Sequence, residues 1–165
     1  MEAVPLFPYL PSRAPRGSHG ETTMTIRAAS LGILAILAAS GASAAGGESR
    51  YTAHLIAASE VPPTDSKGTG DVTATFDPAT KRLTWNGTYS GLTGPVTAAH
   101  FHGPAKAGEN AGVLVPADAK ASPFSGEATL DDAKVADLLA GRVYFNLHTA
   151  ANPKGELRGQ VEAAR

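Results

Sequence analysis

The chain has 165 residues, of which 42 % are hydrophobic, and its formal net charge at pH 7 is −1. A chain of this length suits one globular domain, and its lysines and arginines are scattered singly, so neither nucleic acid nor an anionic membrane surface is an expected partner. The absence of cysteine excludes a disulfide framework, a thiolate metal site, a cysteine nucleophile and a lipid-modified N-terminal cysteine.

Residues 1–23, MEAVPLFPYLPSRAPRGSHGETT, are predicted to lie outside the folded domain because they are rich in proline, glycine and polar residues. We expect either a start codon assigned too early, with Met24 as the first residue, or a disordered leader. His19 belongs to this segment and has no part in the folded domain under either interpretation.

Residues 24–44 have the pattern of a secretory signal peptide, with a positive charge, an apolar run over 28–39 and a final small-residue sequence Ala-Ser-Ala. The apolar run is about a dozen residues long, which is shorter than the roughly 20 residues that span a bilayer. Cleavage after Ala44 is therefore expected, and it leaves residues 45–165 as a periplasmic or secreted domain that is free of the membrane.

Short runs rich in Thr, Val, Tyr and Phe, separated by Gly and Pro clusters, follow one another along residues 45–165. They are YTAHLIA, GDVTATFD, RLTWNGTYS, TAAHFHG, GVLVPA, FSGEATL, RVYFNLHT and GELRGQVEA. Their period-2 alternation is typical of an antiparallel sandwich or barrel. Only TLDDAKVADLLAGR looks helical, with Thr129 or Asp131 as the N-cap and Gly141 at the end. The sequence therefore predicts an all-β Greek-key domain with one short helix in a connection.

The stretch AAHFHGPA places two histidines, His100 and His102, two positions apart on a predicted strand. Side chains alternate along a strand, so the two imidazoles share a face, with their α-carbons about 6.5 to 7 Å apart, and can reach one ion. In the run VYFNLHT, His148 lies on the more polar face of its strand, where a third imidazole is accessible to solvent. His54 is the remaining histidine of the domain, and the sequence does not fix its distance from the others. The pattern predicts a metal site at His100, His102 and His148, with His54 as a fourth candidate ligand.

Neutral imidazole suits both copper and zinc as a ligand. Because no thiolate or clustered carboxylate accompanies the histidines, an all-nitrogen site favours copper(II), with a histidine-rich zinc site as the weaker choice. Two histidines at this spacing also occur on exposed strands that bind no metal. The alternative interpretation is therefore a solvent-facing strand without a metal site.

Three segments of the domain resemble the CHRD domain, a family named from repeats in chordin and common in single-domain exported bacterial proteins. The segments are SEVPP, TAAHFHGPAKAGENAGVLV and LLAGRVYFNLHTAANPKGELRGQV. The resemblance covers nearly all of residues 50–162. It implies an exported domain, and the connection to chordin implies a protein-interaction module as one function.

A second resemblance is to the copper-zinc superoxide dismutases, through three motifs that occur in the same order. The motifs are a Gly-Leu-Thr turn (91–93) before the His-x-His strand, a Gly-Arg pair (141–142) before an apolar strand that ends in His148, and the segment GELRGQV around Arg158. The resemblance implies a similar Greek-key β-sandwich or barrel. It also implies that His100, His102 and His148 are copper ligands and that Arg158 is a cation that attracts superoxide.

The resemblance fails at the zinc site of those enzymes. No long loop with zinc ligands lies between Gly103 and the predicted helix, and the cysteines of their disulfide are absent. It therefore implies a copper-only superoxide dismutase that acts on superoxide or another small anion and needs no organic cofactor. The alternatives of a different class are a periplasmic copper carrier without activity and a protein-interaction module. The domain could also pair with a second copy as a homodimer.

Other polar residues have a structural interpretation beside a functional one. Arg158 and Glu156 lie two apart and could form an ion pair on one face. Asn146 could orient a ligand histidine or bond to backbone, and Tyr144 could line the site or pack in the core. Glu60 is predicted to tie a turn, because no second carboxylate lies beside it in the sequence. No nucleophile elbow or phosphate-binding glycine pattern supports hydrolase chemistry.

Overall fold

A computed structural model of the protein describes residues 46–165. The leader and signal segments predicted over 1–23 and 24–44 lie outside the described residues. The strands are β1 Ser49–Ile56, β2 Thr69–Asp77, β3 Arg82–Ser90, β4 Val96–His102, β5 Val113–Ala117, β6 Phe124–Thr129, β7 Tyr144–Thr149, β8 Leu157–Gln160 and β9 Glu162–Ala163, with the helix α1 Asp132–Leu139 between β6 and β7. A 3-10 turn over Ala57–Ser59 follows β1. Within the described range, no helix has the length and apolar character needed to cross a membrane.

The strands form one nine-stranded antiparallel sheet in the order β5-β4-β7-β8-β1-β2-β3-β6, and β9 pairs with β1. The sheet curls into a nearly closed barrel whose edges are β5 and β6. At Gly159 the strands β8 and β1 approach so closely that an added Cβ would lie 2.3 Å from the carbonyl oxygen of His54. Only glycine fits there, because any side chain would meet the backbone of β1. The all-β prediction is confirmed.

Helix α1 begins and ends where the sequence predicted. Asp131 caps its N-terminus by accepting a hydrogen bond from the amide of Lys134 at 2.9 Å. Gly141, with φ of 66°, takes the left-handed conformation that commonly follows the last turn of a helix. The cap and the terminal glycine therefore confirm the predicted short helix in the connection before β7.

From residue 99 onward in β4, and along β7, the odd-numbered residues point into the barrel. Phe101, Phe145 and Leu147 are fully buried, and the Phe101 and Phe145 rings meet edge to face with 4.8 Å between their centroids. Because side chains alternate along a strand, the even-numbered residues of the same strands face the other way. These residues are His100 and His102 on β4 and Tyr144, Asn146 and His148 on β7. The packing of the core thus decides which polar side chains share the outer face.

Phe145→Ala is expected to lower the free energy of unfolding by about 3 to 5 kcal/mol, the usual effect of removing a buried phenylalanine ring. Phe145 is 0 % exposed and packs against Phe101 and Phe124. Urea unfolding followed by the fluorescence of the single tryptophan, Trp85, measures the change. Leu139→Ala is the control, because Leu139 is 62 % exposed and its loss should cost less than about 0.5 kcal/mol. A loss below about 1 kcal/mol for Phe145→Ala would contradict a central place in the core.

Candidate metal centre

Three histidines lie together on the outer face of the barrel, where β4 and β7 pair. The strand register places His100 opposite Asn146 and His148 opposite Ala98. One ring nitrogen from each of His100, His102 and His148 lies within 4.8 Å of the other two. The ring centroids are 5.1 Å apart for His100 and His148, and 5.3 Å apart for His100 and His102. The structure therefore brings together the three residues that the sequence predicted as ligands.

Two backbone carbonyls fix the orientation of two of the rings. His102 Nδ1 lies 3.0 Å from the carbonyl oxygen of Ala111, and His148 Nδ1 lies 3.1 Å from that of Pro153. A carbonyl oxygen can only accept a hydrogen bond, so each Nδ1 carries the proton and donates it. The Nε2 of each ring is then unprotonated, with a lone pair available to a metal. His148 Nε2 lies 3.2 Å from His100 Nδ1, so His100 presents its Nδ1 to the same point.

The buried Nε2 of His102 has no hydrogen-bond partner among the residues that the structure describes. The His102 side chain is only 8 % exposed, so bulk water has little access to this atom. A buried acceptor without a partner costs about 1 to 3 kcal/mol. A metal ion held by the three nitrogens would use this lone pair, so the residues present fit a metal-binding role.

Burial lowers the pKa of all three imidazoles below the ordinary value of 6.5. For His100, the charges that His148 and His102 would carry lower the pKa further. For His102 and His148, hydrogen bonds to carbonyl oxygens oppose the effect of burial without cancelling it. The lowered pKa values favour the neutral imidazole, which keeps one ring proton and is the form that binds a metal.

The cluster lies at the protein surface, outside the barrel interior. His102 forms its buried side, whereas His100 and His148 are partly exposed. Val113, which pairs with His102 across β4 and β5, is 55 % exposed and leaves this edge uncovered. The cluster is therefore open to solvent on the side of His100 and His148, and His102 Nε2 lies behind them.

The structure does not bring His54 to the cluster. His54 lies on β1, and its Nδ1 is 2.9 Å from Oδ1 of Asp71 on β2. Both side chains are largely exposed, at 64 % and 72 %. Over residues 46–165, the group of side chains that could share one ion contains the other three histidines and leaves His54 out. The candidate site therefore consists of three histidines, without His54.

Arg158, predicted as an anion-attracting cation, lies near the cluster but is only 1 % exposed. Its Nη1 donates to Oδ1 of Asn110 at 3.1 Å, its Nη2 donates to the carbonyl oxygen of Glu109, and its Cζ lies 3.4 Å from the centroid of the Tyr144 ring. Burial lowers the pKa of His102, and the positive charge of Arg158 adds to that effect. The loop over 103–112 covers the guanidinium, so Arg158 offers almost no surface to an incoming anion.

The ion pair between Arg158 and Glu156, considered from the sequence, does not form. The Glu156 carboxylate instead accepts hydrogen bonds from the hydroxyls of Ser66, Thr93 and Thr149, at 2.7, 2.6 and 2.5 Å. Ser66 and Glu156 are 90 residues apart in the sequence, so no local pattern could have revealed their contact. This buried carboxylate joins the loop before β2 and the loop before β4 to the end of β7.

Asn146 and Tyr144 line the protein side of the cluster. The Tyr144 ring stacks on His102, with centroids 4.8 Å apart and 4° between the planes. Asn146 is 3 % exposed, and its Nδ2 donates to Oε1 of Glu60 at 3.4 Å. Burial raises the pKa of Glu60, while the hydrogen bond from Asn146 and the charge of Arg158 oppose this rise. The interpretation of Glu60 as a turn residue missed its contact with Asn146, which lies 86 residues away in the sequence.

Comparison with known protein families identifies a domain over most of the described residues. The model of the CHRD domain matches residues 51–161. This range contains the three clustered histidines, Arg158, and all of the strands except the first residues of β1 and the short β9. No curated protein and no solved structure matches the chain.

Proposed function

The chain belongs to the CHRD domain family, and we propose that it is a copper-binding member in which His100, His102 and His148 hold one copper ion. The observation that carries the proposal is the buried Nε2 of His102, which has no hydrogen-bond partner within residues 46–165. It lies beside two other histidines, and one nitrogen from each of the three is within 4.8 Å of the others. Hydrogen bonds from Nδ1 to carbonyl oxygens hold two of these rings with Nε2 unprotonated, as they do in many metal sites.

The donor set favours copper over zinc. The cluster offers three imidazole nitrogens, and neither a thiolate nor a carboxylate is part of the group. For nitrogen ligands the affinity of divalent ions rises to a maximum at copper and falls again at zinc. Copper(II) therefore outcompetes zinc at this site when both are present at equal concentration.

We propose that the activity is superoxide dismutation in the periplasm or outside the cell. Bound copper would supply the redox chemistry by cycling between its +2 and +1 states. Two superoxide ions and two protons give one dioxygen and one hydrogen peroxide. In this proposal His102 binds the ion from the buried side. His100 and His148 are partly exposed, so a small anion can approach the ion from the solvent side. The order of motifs that the sequence shares with the dismutases supports this activity.

A copper carrier without activity is the second candidate, and the burial of Arg158 favours it. A fast dismutase gains part of its rate from a cation that raises the local concentration of the anion. The guanidinium of Arg158 is 1 % exposed, so it acts on an approaching anion only through its field. A carrier needs the ligands alone and no such approach.

One experiment separates the candidates. Metal-free protein is titrated with copper(II), and the bound copper and the rate of superoxide dismutation are then measured on the same sample. We expect one copper per chain and a rate proportional to bound copper, with zinc-loaded protein as the inactive control because zinc has no redox chemistry. Stoichiometric copper without turnover would identify a carrier. The absence of stoichiometric copper would reject the metal site and leave a protein-interaction module.

A further inference from the structure

Arg158, Tyr144 and His102 form one continuous stack on the outer face of the barrel. The Tyr144 ring is parallel to the His102 imidazole, at 4° and 4.8 Å between centroids. The guanidinium carbon of Arg158 lies 3.4 Å from the Tyr144 centroid. Because β4 and β8 flank β7 on opposite sides, the tyrosine ring lies between the imidazole and the guanidinium. A displacement of Arg158 therefore removes the support on one face of Tyr144.

The loop over 103–112 connects the same residues by a second route. Arg158 donates to Oδ1 of Asn110 and to the carbonyl oxygen of Glu109. The next residue along the loop, Ala111, accepts the hydrogen bond from His102 Nδ1 at 3.0 Å, and its amide donates to the Tyr144 hydroxyl at 3.3 Å. The loop segment that Arg158 holds is thus the segment that holds the His102 ring.

The geometry points to Arg158 as a positioning residue for His102. We propose that it fixes the 103–112 loop and the Tyr144 ring, so that His102 keeps its proton on Nδ1 and directs Nε2 into the cluster. The inference rests on the proposed function in one respect, which is that His102 acts as a metal ligand. Arginine suits this role because its planar fork donates to the loop while its face stacks on the aromatic ring. Lysine carries the same charge but has neither the fork nor the planar face.

The first measurement uses metal-free protein. Nitrogen-15 spectra of the imidazoles report which ring nitrogen carries the proton, and we expect wild-type His102 to be the Nδ1-protonated tautomer. In Arg158→Lys we expect a mixture of the two tautomers, with the backbone amide spectrum of the barrel retained. Arg82→Lys is the matched control, because Arg82 is exposed on β3 and pairs with Glu127 on β6, away from the stack. This control should leave the His102 signals unchanged.

Asn110→Ala repeats the test without altering a buried side chain. Asn110 is exposed, and it supplies one of the acceptors for Arg158. A smaller change of the His102 tautomer in the same direction is expected, and this variant gives the decision if Arg158→Lys does not fold. Zinc affinity, measured by calorimetry, should fall about 10- to 100-fold in Arg158→Lys, as for other residues that orient a ligand histidine.

Two outcomes would overturn the inference. One is a single Nδ1-protonated His102 in both folded Arg158→Lys and Asn110→Ala. The other is a loss of zinc affinity in Arg158→Lys without any change of tautomer, because Arg158 would then act by another route. The tautomer is read without metal, so a wild-type protein that binds no copper would reject the proposed function and still allow this test to be decided.

Discussion

Glu156→Gln is expected to lower the free energy of unfolding at pH 7 by about 3 kcal/mol. The folded protein lowers the pKa of the Glu156 carboxyl from 4.5 to about 2, and a carboxylate stabilised to this extent contributes roughly that much to stability. Glu156 is 0 % exposed. Burial raises the pKa of its carboxyl, but hydrogen bonds from Thr149, Thr93 and Ser66 outweigh burial and lower the pKa from 4.5 to about 2. A glutamine amide has only one acceptor oxygen, and its NH2 group would face some of these donors.

The effect of Glu156→Gln should depend on pH in a defined direction. The pKa of the carboxyl is lower in the folded protein than its ordinary value of 4.5, so its stabilisation is complete above pH 4.5. It decreases as the pH falls and has largely gone near the folded pKa of about 2. Urea unfolding of wild type and variant at a series of pH values between 7 and 2.5 measures this difference.

A matched control separates the buried carboxylate from charge in general. Glu127 is on β6 with 61 % of its side chain exposed, and Glu127→Gln should change the free energy of unfolding by less than about 0.5 kcal/mol. A difference between wild type and Glu156→Gln that stayed constant from pH 7 to 2.5 would contradict the explanation. It would mean that the shape of the side chain, and not its charge, stabilises the fold.

The elements of this fold could be predicted from the sequence because their causes are local. Alternation along β4 and β7 turns Phe101 and Phe145 into the barrel and the positions between them to the outer face, which is a property of strand geometry alone. The start of the helix was predictable for the same reason, because Asp131 accepts a hydrogen bond from the backbone amide of Lys134, only three residues away. The placement of His100 and His102 on the same face of β4 follows from the same alternation.

The supports of the site could not be predicted, because they come from distant parts of the chain and from backbone atoms. The carbonyl groups of Ala111 and Pro153 orient two of the histidines. Every residue has a backbone carbonyl, so the residue type does not indicate which carbonyl accepts such a hydrogen bond. The burial of Arg158 could not be predicted for the same reason. Its segment resembles one with an exposed cation, but the 103–112 loop folds over it and uses its donors. Burial depends on tertiary packing that a short motif does not encode.

Single substitutions should distinguish a histidine that binds the metal, His102, from one that does not, His54. His102→Ala is expected to weaken copper binding at least about 100-fold, a larger loss than the usual effect of residues that only orient a ligand. His102 supplies the buried nitrogen that has no other partner, and two partly exposed imidazoles would remain. His54→Ala is the matched control and should change the affinity by less than about twofold, since an exposed side chain away from the site has little effect.

Competition with a chelator of known copper affinity at pH 7 measures both changes. Equal losses for His54→Ala and His102→Ala would contradict a three-histidine site, because His54 would have to leave Asp71 and join the metal on binding. Unchanged affinity in His102→Ala would remove the buried nitrogen from the ligand set altogether. The predicted order, with His102 essential and His54 dispensable, follows from the placement of one ring inside the cluster and the other beside an aspartate on a different part of the barrel.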